Sequence, residues 1–330
     1  MSKKNGDDDW VLLEDALGHY WHPVARSCEI DTKPAAVKLL DQPLVLWRSR
    51  GQIAVFHDLC IHRGTPLSLG WLKREELVCA YHGWHYSADG ACTRIPSLPA
   101  NHPVPAKARA KVYRAEERYG LVWVCLDEPR VEIPIFPEEF NDGSYNWEAY
   151  FSEGQWKANA ARVTENLADL SHFPWVHPGI LGDQDKPECE AIKIEPVNGG
   201  FQYESDDGLN PFREQDRARR LFTVILPFMV MIQAWEPGRT KKSTKIYLCS
   251  PLSSKETKFY RFAGRNYRDQ RSDEKLNERH RLIFEQDRVI VEAQLPEEIP
   301  LDLSEELHLK GPDSAAIEYR RRLRDLARTK

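Results

Sequence analysis

Apolar and polar positions alternate through the first third of the chain in the manner of short strands. The run "LVLWRSRGQIAVFHDLC", from Leu44 to Cys60, reads as two alternating apolar segments around a Ser-Arg-Gly turn, and "YGLVWVCL" near Leu121 reads as another strand. Proline and glycine punctuate the stretch from Ile95 to Pro105, which predicts a loop. The segment "DEPRVEIPIFPEEF" carries three prolines in 14 residues and is the best linker. Beyond it, "WKANAARVTENLADLSHFPWVH" changes to helical periodicity through Ala161, Val163, Leu167 and Leu170. Strand-like runs return between Ile192 and Phe262, among them "LFTVILPFMVMI", which Pro227 splits into two buried strands. Helical stretches near "SDEKLNERHRLIFEQDRVIVEAQ" and "SAAIEYRRRLRDLA" close the chain. The pattern predicts an α+β protein: an all-β domain over residues 1–139, then an α+β domain with an antiparallel sheet over 140–330.

Composition narrows the class. A chain of 330 residues with 41% apolar and 29% charged residues is ordinary for a globular protein. No apolar run approaches the roughly 20 residues that span a bilayer, so no membrane association is expected. The start, "MSKKNGDDDW", has no apolar segment behind its lysines and reads as a disordered tail, not a signal peptide. A net charge of -5 argues against a nucleic-acid surface. The arginines of "YRRRLRDLARTK" share a helix with Ile317, Leu323 and Leu326, which makes them its wet face. An odd count of seven cysteines argues against a disulfide framework and for a reducing cytoplasm, where thiols are free to bind metal.

Four ligand-type residues form the first chemical constellation. Cys60 and His62 in "CIHRG" are followed, after 16 intervening residues, by Cys79 and His82 in "CAYHGWHY". Chance explains this poorly, because Gly64 and Gly83 stand beside the pairs where a backbone must turn tightly. A Cys2His2 zinc site is disfavoured because one residue between ligands is tight for a shared tetrahedral ion. A Rieske [2Fe-2S] centre uses the closeness, with Cys60 and Cys79 on one iron and His62 and His82 on the other. Cys28, Cys92, Cys125, Cys189 and Cys249 read as packed thiols, and His57 and His85 as neighbours of the loops or surface groups.

The second constellation lies in "ENLADLSHFPWVH". Three residues along a helix put Asp169 and His172 on one face, whereas His172 and His177 need a bend, for which Pro174 and Pro178 stand ready. Two histidines and one carboxylate leave open positions on Fe(II) for dioxygen. The carboxylates in "FEQDRVIVEAQ" are Glu285, Asp287 and Glu292, and spacing alone does not separate them.

With both constellations in order, the chain resembles the oxygenase component of the Rieske non-haem iron oxygenases. The likeness rests on "YWHPVA", C-x-H-R-G, C-x-Y-H-G-W, "YGLVWV", the N-x2-D-x2-H-x4-H segment and "FEQDRVIVEAQ". It is similar to the homotrimeric phthalate dioxygenase and vanillate demethylase type, and "LVLWRSR" and "SHFPWVHPGILGD" resemble the branch of phenoxybenzoate and saxitoxin-pathway oxygenases. The resemblance implies a helix-grip-like catalytic domain, a Rieske cluster on Cys60, His62, Cys79 and His82, and Fe(II) on His172, His177 and Asp287. It implies that Asn166 sits close to the iron and that Asp169 bridges His172 to a cluster histidine, His82, of a neighbouring subunit in a head-to-tail ring. It also implies O2 as co-substrate, with electrons from NAD(P)H arriving through a separate reductase and, in some systems, a ferredoxin. Proline usually follows the first cysteine and precedes the tyrosine of the second loop in that family, where this chain has Ile61 and Ala80. The expected activity is oxygenation of an aromatic or hydrophobic organic compound, with monooxygenation, demethylation or ether cleavage favoured over cis- or angular dioxygenation. A Rieske electron-transfer protein lacking a working iron site is the rival from another class.

Overall fold

The structure, a computed structural model, describes residues 5–99, 101–147, 154–189, 192–206, 219–235, 240–268 and 272–329. The chain forms two compact units, one over Gly18–Ile133 and one that joins the segment ending at Leu17 to everything from Pro134 onward. The first helix, α1 (Asn5–Leu17), therefore belongs to the second unit although it comes first in sequence. Among the described residues, no helix is long and apolar enough to cross a membrane.

In the Gly18–Ile133 unit the strands are β1 (His22–Arg26), β2 (Ala35–Leu39), β3 (Gln42–Ser49), β4 (Gln52–His57), β5 (Trp71–Lys73), β6 (Glu76–Val78), β7 (His85–Tyr86), β8 (Cys92–Arg94), β9 (Val112–Arg118) and β10 (Leu121–Cys125). They make a six-stranded sheet in the order β1-β10-β9-β4-β3-β2 and a four-stranded sheet in the order β5-β6-β7-β8. All of Leu44, Val45, Leu46 and Trp47 on β3 are buried. Alternation explains how. Val45 and Trp47 pack with Leu77, Tyr86 and Cys92 of the smaller sheet, whereas Leu44 and Leu46 pack on the opposite face with Val24, Val122 and Val124.

The other unit contains β11 (Asn146–Trp147), β12 (Gln155–Trp156), α2 (Ala160–Ala168), the short α3 (Phe173–Val176), β13 (Glu195–Val197), β14 (Gly200–Asp206), β15 (Arg219–Ile225), β16 (Met229–Trp235), β17 (Lys242–Ser253), β18 (Glu256–Arg265), α4 (Asp273–Val291) and α5 (Ser314–Arg328). Its antiparallel sheet runs β11-β18-β17-β16-β15-β14-β13, with β12 also on β18. The expected break at Pro227 is a tight connection between β15 and β16, whose register closes with Ile225 opposite Met229.

Three expectations need correction. The acidic start is not a tail from Asn5 on. It is helical, because Leu13, Ala16 and Leu17 bury one face and Asp9 holds Arg328 of α5 at 2.9 Å. The proline-rich linker is half structural, since Phe136 and Glu139 are buried and Glu139 takes hydrogen bonds from Gln233 at 2.5 Å and Thr244 at 2.8 Å. The division therefore falls after Ile133, not after residue 139. Finally, the arginines of α5 are not all wet. Arg320 is 2% exposed and clamps Glu165 of α2 through two hydrogen bonds of 2.6 and 2.7 Å.

Candidate metal centres

The two Cys-His loops fold alike. The loop after β4 is closed by Gly64 N–H donating to Cys60 O at 2.9 Å and Cys60 N–H donating to Thr65 O at 2.8 Å. The loop after β6 is closed by Gly83 N–H donating to Cys79 O at 3.0 Å and Cys79 N–H donating to Trp84 O at 2.9 Å. Gly64 and Gly83 have φ of +70° and +65°, a region that L side chains rarely adopt, so the glycines answer to backbone conformation. Both cysteines are buried, and the Tyr86 hydroxyl lies 3.1 Å from Cys60 Sγ. His62 is half-buried, His82 is exposed, and their rings approach to 4.5 Å. His62 also stacks on Trp84 at 4.6 Å.

These residues fit the cluster. Burial lifts the Cys79 thiol above its ordinary range, with Cys60 adding to the shift, so a thiolate there calls for a cation. His62 Nδ1 is buried without a hydrogen-bond partner. Backbone amides of Tyr81 and His82 point at Cys79 Sγ, and Ile61 is 39% exposed. The packed-thiol reading fits Cys92, Cys125 and Cys249, which are buried; Cys28 is instead exposed and Cys189 half-buried. His85 is buried against Glu76 at 2.8 Å, and His57 is half-buried.

The second set is assembled by a broken helix. Asn159 caps α2, its side chain accepting from Ala161 N–H at 2.9 Å, and the helix ends at Ala168. Asp169 already has extended backbone, with φ -88° and ψ 145°. Asp169 and His172 thus do not share a helical face as their spacing suggested. They meet across the break, where Asp169 Oδ2 accepts from the His172 backbone N–H at 3.0 Å and stands 2.6 Å from its Nδ1. Pro174 lies in the first turn of α3, where a missing N–H costs nothing. This separate turn, not a kink, carries His177 to the same place as His172.

From α4, Asp287 completes the group. The ligand atoms of His172, His177 and Asp287 lie within 4.8 Å of one another, with His177 Nε2 3.0 Å and His172 Nε2 3.4 Å from Asp287 Oδ1. Buried Phe284, Asp287 and Val291 recur three and four residues apart on one face of α4. Glu285 is exposed and binds Arg288 at 2.9 Å, while Glu292 accepts from Lys157 N–H at 2.9 Å. That face is the signal that separates the three carboxylates. Gln286, which spacing did not single out, offers Oε1 to His177 Nδ1 at 2.9 Å.

With Asp169 and Gln286 accepting at the two Nδ1 atoms, both histidines keep an Nε2 lone pair for a metal. Burial disfavours a charged His172, but the Asp169 and Asp287 carboxylates outweigh it and push its pKa up to about 9. His177 Nε2 and Asp287 Oδ1 are buried and, although 3.0 Å apart, form no hydrogen bond, an arrangement that suits two ligand atoms of one cation. The triad opens on a cavity of about 440 Å³. Phe173, Phe222, Ile232 and Trp235 give it an apolar and aromatic lining, and Asn166 lines it too. Arg220, Lys241, Lys245 and Arg279, which the sequence did not suggest, line it as well.

Comparison with known proteins agrees with this geometry. The Rieske [2Fe-2S] domain family matches residues 20–113, and the vanillate O-demethylase oxygenase C-terminal domain family matches residues 156–329. The chain is 32% identical to methylxanthine N1-demethylase NdmA of Pseudomonas putida, over 94% of its own length and 89% of the relative's. It is 29% identical to methylxanthine N3-demethylase NdmB of the same species, over 87% and 85%. The solved structure of Pseudomonas putida NdmA with caffeine superposes with a TM-score of 0.85, covering 96% of this chain and 92% of that one. A Rieske domain carries a [2Fe-2S] cluster, and oxygenase domains of this type work with mononuclear iron, dioxygen and electrons from a separate reductase. The chain belongs to the Rieske non-haem iron oxygenases, as the oxygenase component of such a system.

Proposed function

We propose that the protein is a demethylating monooxygenase acting on an N- or O-methyl group of a small aromatic or heteroaromatic compound. The observation that carries this reading is the convergence of His172, His177 and Asp287 on one wall of a partly aromatic cavity. In this reading, Cys60, His62, Cys79 and His82 would hold the cluster, and His172, His177 and Asp287 would hold Fe(II). Bound there, iron supplies reductive dioxygen activation: one oxygen atom enters a methyl C–H bond, the other leaves as water with two electrons and two protons, and the hydroxymethyl group departs as formaldehyde.

The protein's own residues do the rest. Asp169 and Gln286 fix the two imidazoles with Nε2 toward the metal. Phe173, Phe222, Ile232 and Phe284 exclude water and flank a flat ring. Asn166 lines the cavity with a buried, unsatisfied Oδ1. Asp169 also serves as the bridge to the cluster of a neighbouring subunit in a head-to-tail homotrimer, for which the exposure of His82 is a requirement that this chain meets. The protein works in the cytoplasm, with an NAD(P)H-dependent reductase and, where needed, a ferredoxin.

The test loads purified protein anaerobically with Fe(II), adds a reductase and a panel of methylated aromatics, and reads formaldehyde and product mass. Formaldehyde in step with a product lacking one methyl supports the reading. A product gaining two oxygen atoms points to a dioxygenase, and protein that takes up no iron beyond its cluster points to an electron carrier.

A further inference from the structure

Strands β15, β16 and β17 lie side by side, and their register puts Arg220 opposite Ala234 and Ala234 opposite Ser243. One row along, Phe222 stands opposite Ile232 and Ile232 opposite Lys245. Side chains two apart share a face, so these two rows form one wall of the cavity. Lys241 adds a cation at the exposed end, and Arg279 adds one from α4, spending a donor on Ile180 O at 3.0 Å. Among the described lining residues the only carboxylate is Asp287, which belongs to the triad.

His280 adds to the same bias. Its Nδ1 lies 2.5 Å from a terminal nitrogen of Arg261, which is 2% exposed. A guanidinium only donates and does not deprotonate in proteins, so Nδ1 accepts and the ring carries its proton on Nε2. His280 is thereby a hydrogen-bond donor at its other nitrogen, in a ring that lines the cavity. Arg220, Lys241, Lys245 and Arg279 have no acceptor atoms on their side chains at all. Each of these residues also interacts within the protein, which holds the wall in shape before a ligand arrives.

A wall of donors that is also cationic complements a group that only accepts and carries negative charge. From these observations we infer that Arg220, Lys245 and His280 bind an oxyanion of the substrate, a carboxylate or its equivalent, so that the enzyme selects aromatic acids over neutral rings. This rests on the demethylase reading and sets the chain apart from relatives named for methylxanthines. The helix also sets the reach. His280 precedes Asp287 by seven residues, or ~10 Å along α4. The oxyanion and the methyl group therefore sit at opposite ends of one ring, as in a para-substituted acid.

Calorimetric titration of the cluster-containing protein with 4-methoxybenzoate and 4-methoxybenzamide tests this without turnover. The acid is expected to bind at least tenfold tighter, with an advantage that shrinks as salt rises. Arg220→Ala and Lys245→Ala should abolish the preference and Lys245→Arg should keep it, while each variant melts near the wild-type temperature. Equal or tighter binding of the amide, no binding of either, or a preference untouched by both alanine variants overturns the inference. Formaldehyde assays on the same pair separate the two readings. Equal demethylation of the amide sinks the anion site and leaves the demethylase intact. Acid-selective binding with a ring-hydroxylated product sinks demethylation and leaves the anion site.

Discussion

Gln286 and Asp169 perform the same physical task on two different histidines, accepting at Nδ1 so that Nε2 is left for the proposed iron. Outer partners of this kind are worth about 10–100-fold in metal affinity. Gln286→Leu should therefore lose iron about tenfold more readily on dialysis, with the visible absorption of the cluster unchanged; Gln286→Glu, which keeps an acceptor, should hold it. Asp169→Ala is expected to behave differently at saturating Fe(II). It should keep cluster and iron and accept electrons from the reductase, but the reduced cluster should no longer be reoxidised when dioxygen and substrate are added. Normal product formation by that variant would remove Asp169 from the electron route. The legibility of these residues follows their spacing. Cys60, His62, Cys79 and His82 stood out because each loop carries its own pair of ligand-type residues. Asp287 stood beside two decoys, and only the buried face of α4 distinguishes it. Gln286 and His280 were invisible because their partners lie 109 and 19 residues away.

Helices and strands follow apolar periodicity, and the departures occur where a distant segment supplies a partner. The arginines of α5 looked solvated because Leu323 and Leu326 already accounted for a buried face. Arg320 nonetheless lies inside, with Glu165 of α2 on one side and Glu306 at 2.7 Å on the other, and Arg162 adds a second cation to Glu306 at 2.9 Å. Removing one partner of a buried ion network strands the others, at a cost of about 3 kcal/mol. Arg320→Ala should lower the melting temperature by several degrees and loosen α5 from α2. Burial pushes the Glu306 carboxyl up, but Arg162 and Arg320 outweigh it and hold the group below the usual glutamate range. A carboxylate with a lowered folded pKa contributes fully above its unfolded value of about 4.3 and loses that contribution as pH falls through the folded value. Wild-type and variant melting temperatures should thus differ at neutral pH and converge as pH falls from about 4.3 through the lowered folded value; a difference that stays constant throughout the acid range would place the effect in packing.

At the scale of the whole molecule, exposed apolar side chains stand beside each candidate metal centre. Tyr81 is 63% exposed and Ile61 39% beside the Cys-His loops, and Trp175 is 59% exposed between His172 and His177. The proposed ring would cover these side chains, which are otherwise left to water. Nothing in a single sequence states which chain, so the ring is proposed from resemblance alone. The proposed head-to-tail ring makes a demanding prediction. A chain with Asp169→Ala has an intact cluster and a disabled receiving site; a chain with Cys79→Ser has a disabled cluster and an intact Asp169 with its triad. Each alone should be inactive. Coexpressed with separate affinity tags and purified through both, the two should form mixed rings in which the good cluster of one chain faces the good iron of the next. Formaldehyde production should then return to a sizeable fraction of wild type, because electrons cross between chains. If transfer ran within one chain, no mixture would restore it, since every chain would lack one half of its own route. Mixed rings of confirmed composition that stay inactive would count against the ring, and a charge at the apolar rim, Trp175→Glu, should abolish both assembly and rescue while sparing the cluster spectrum.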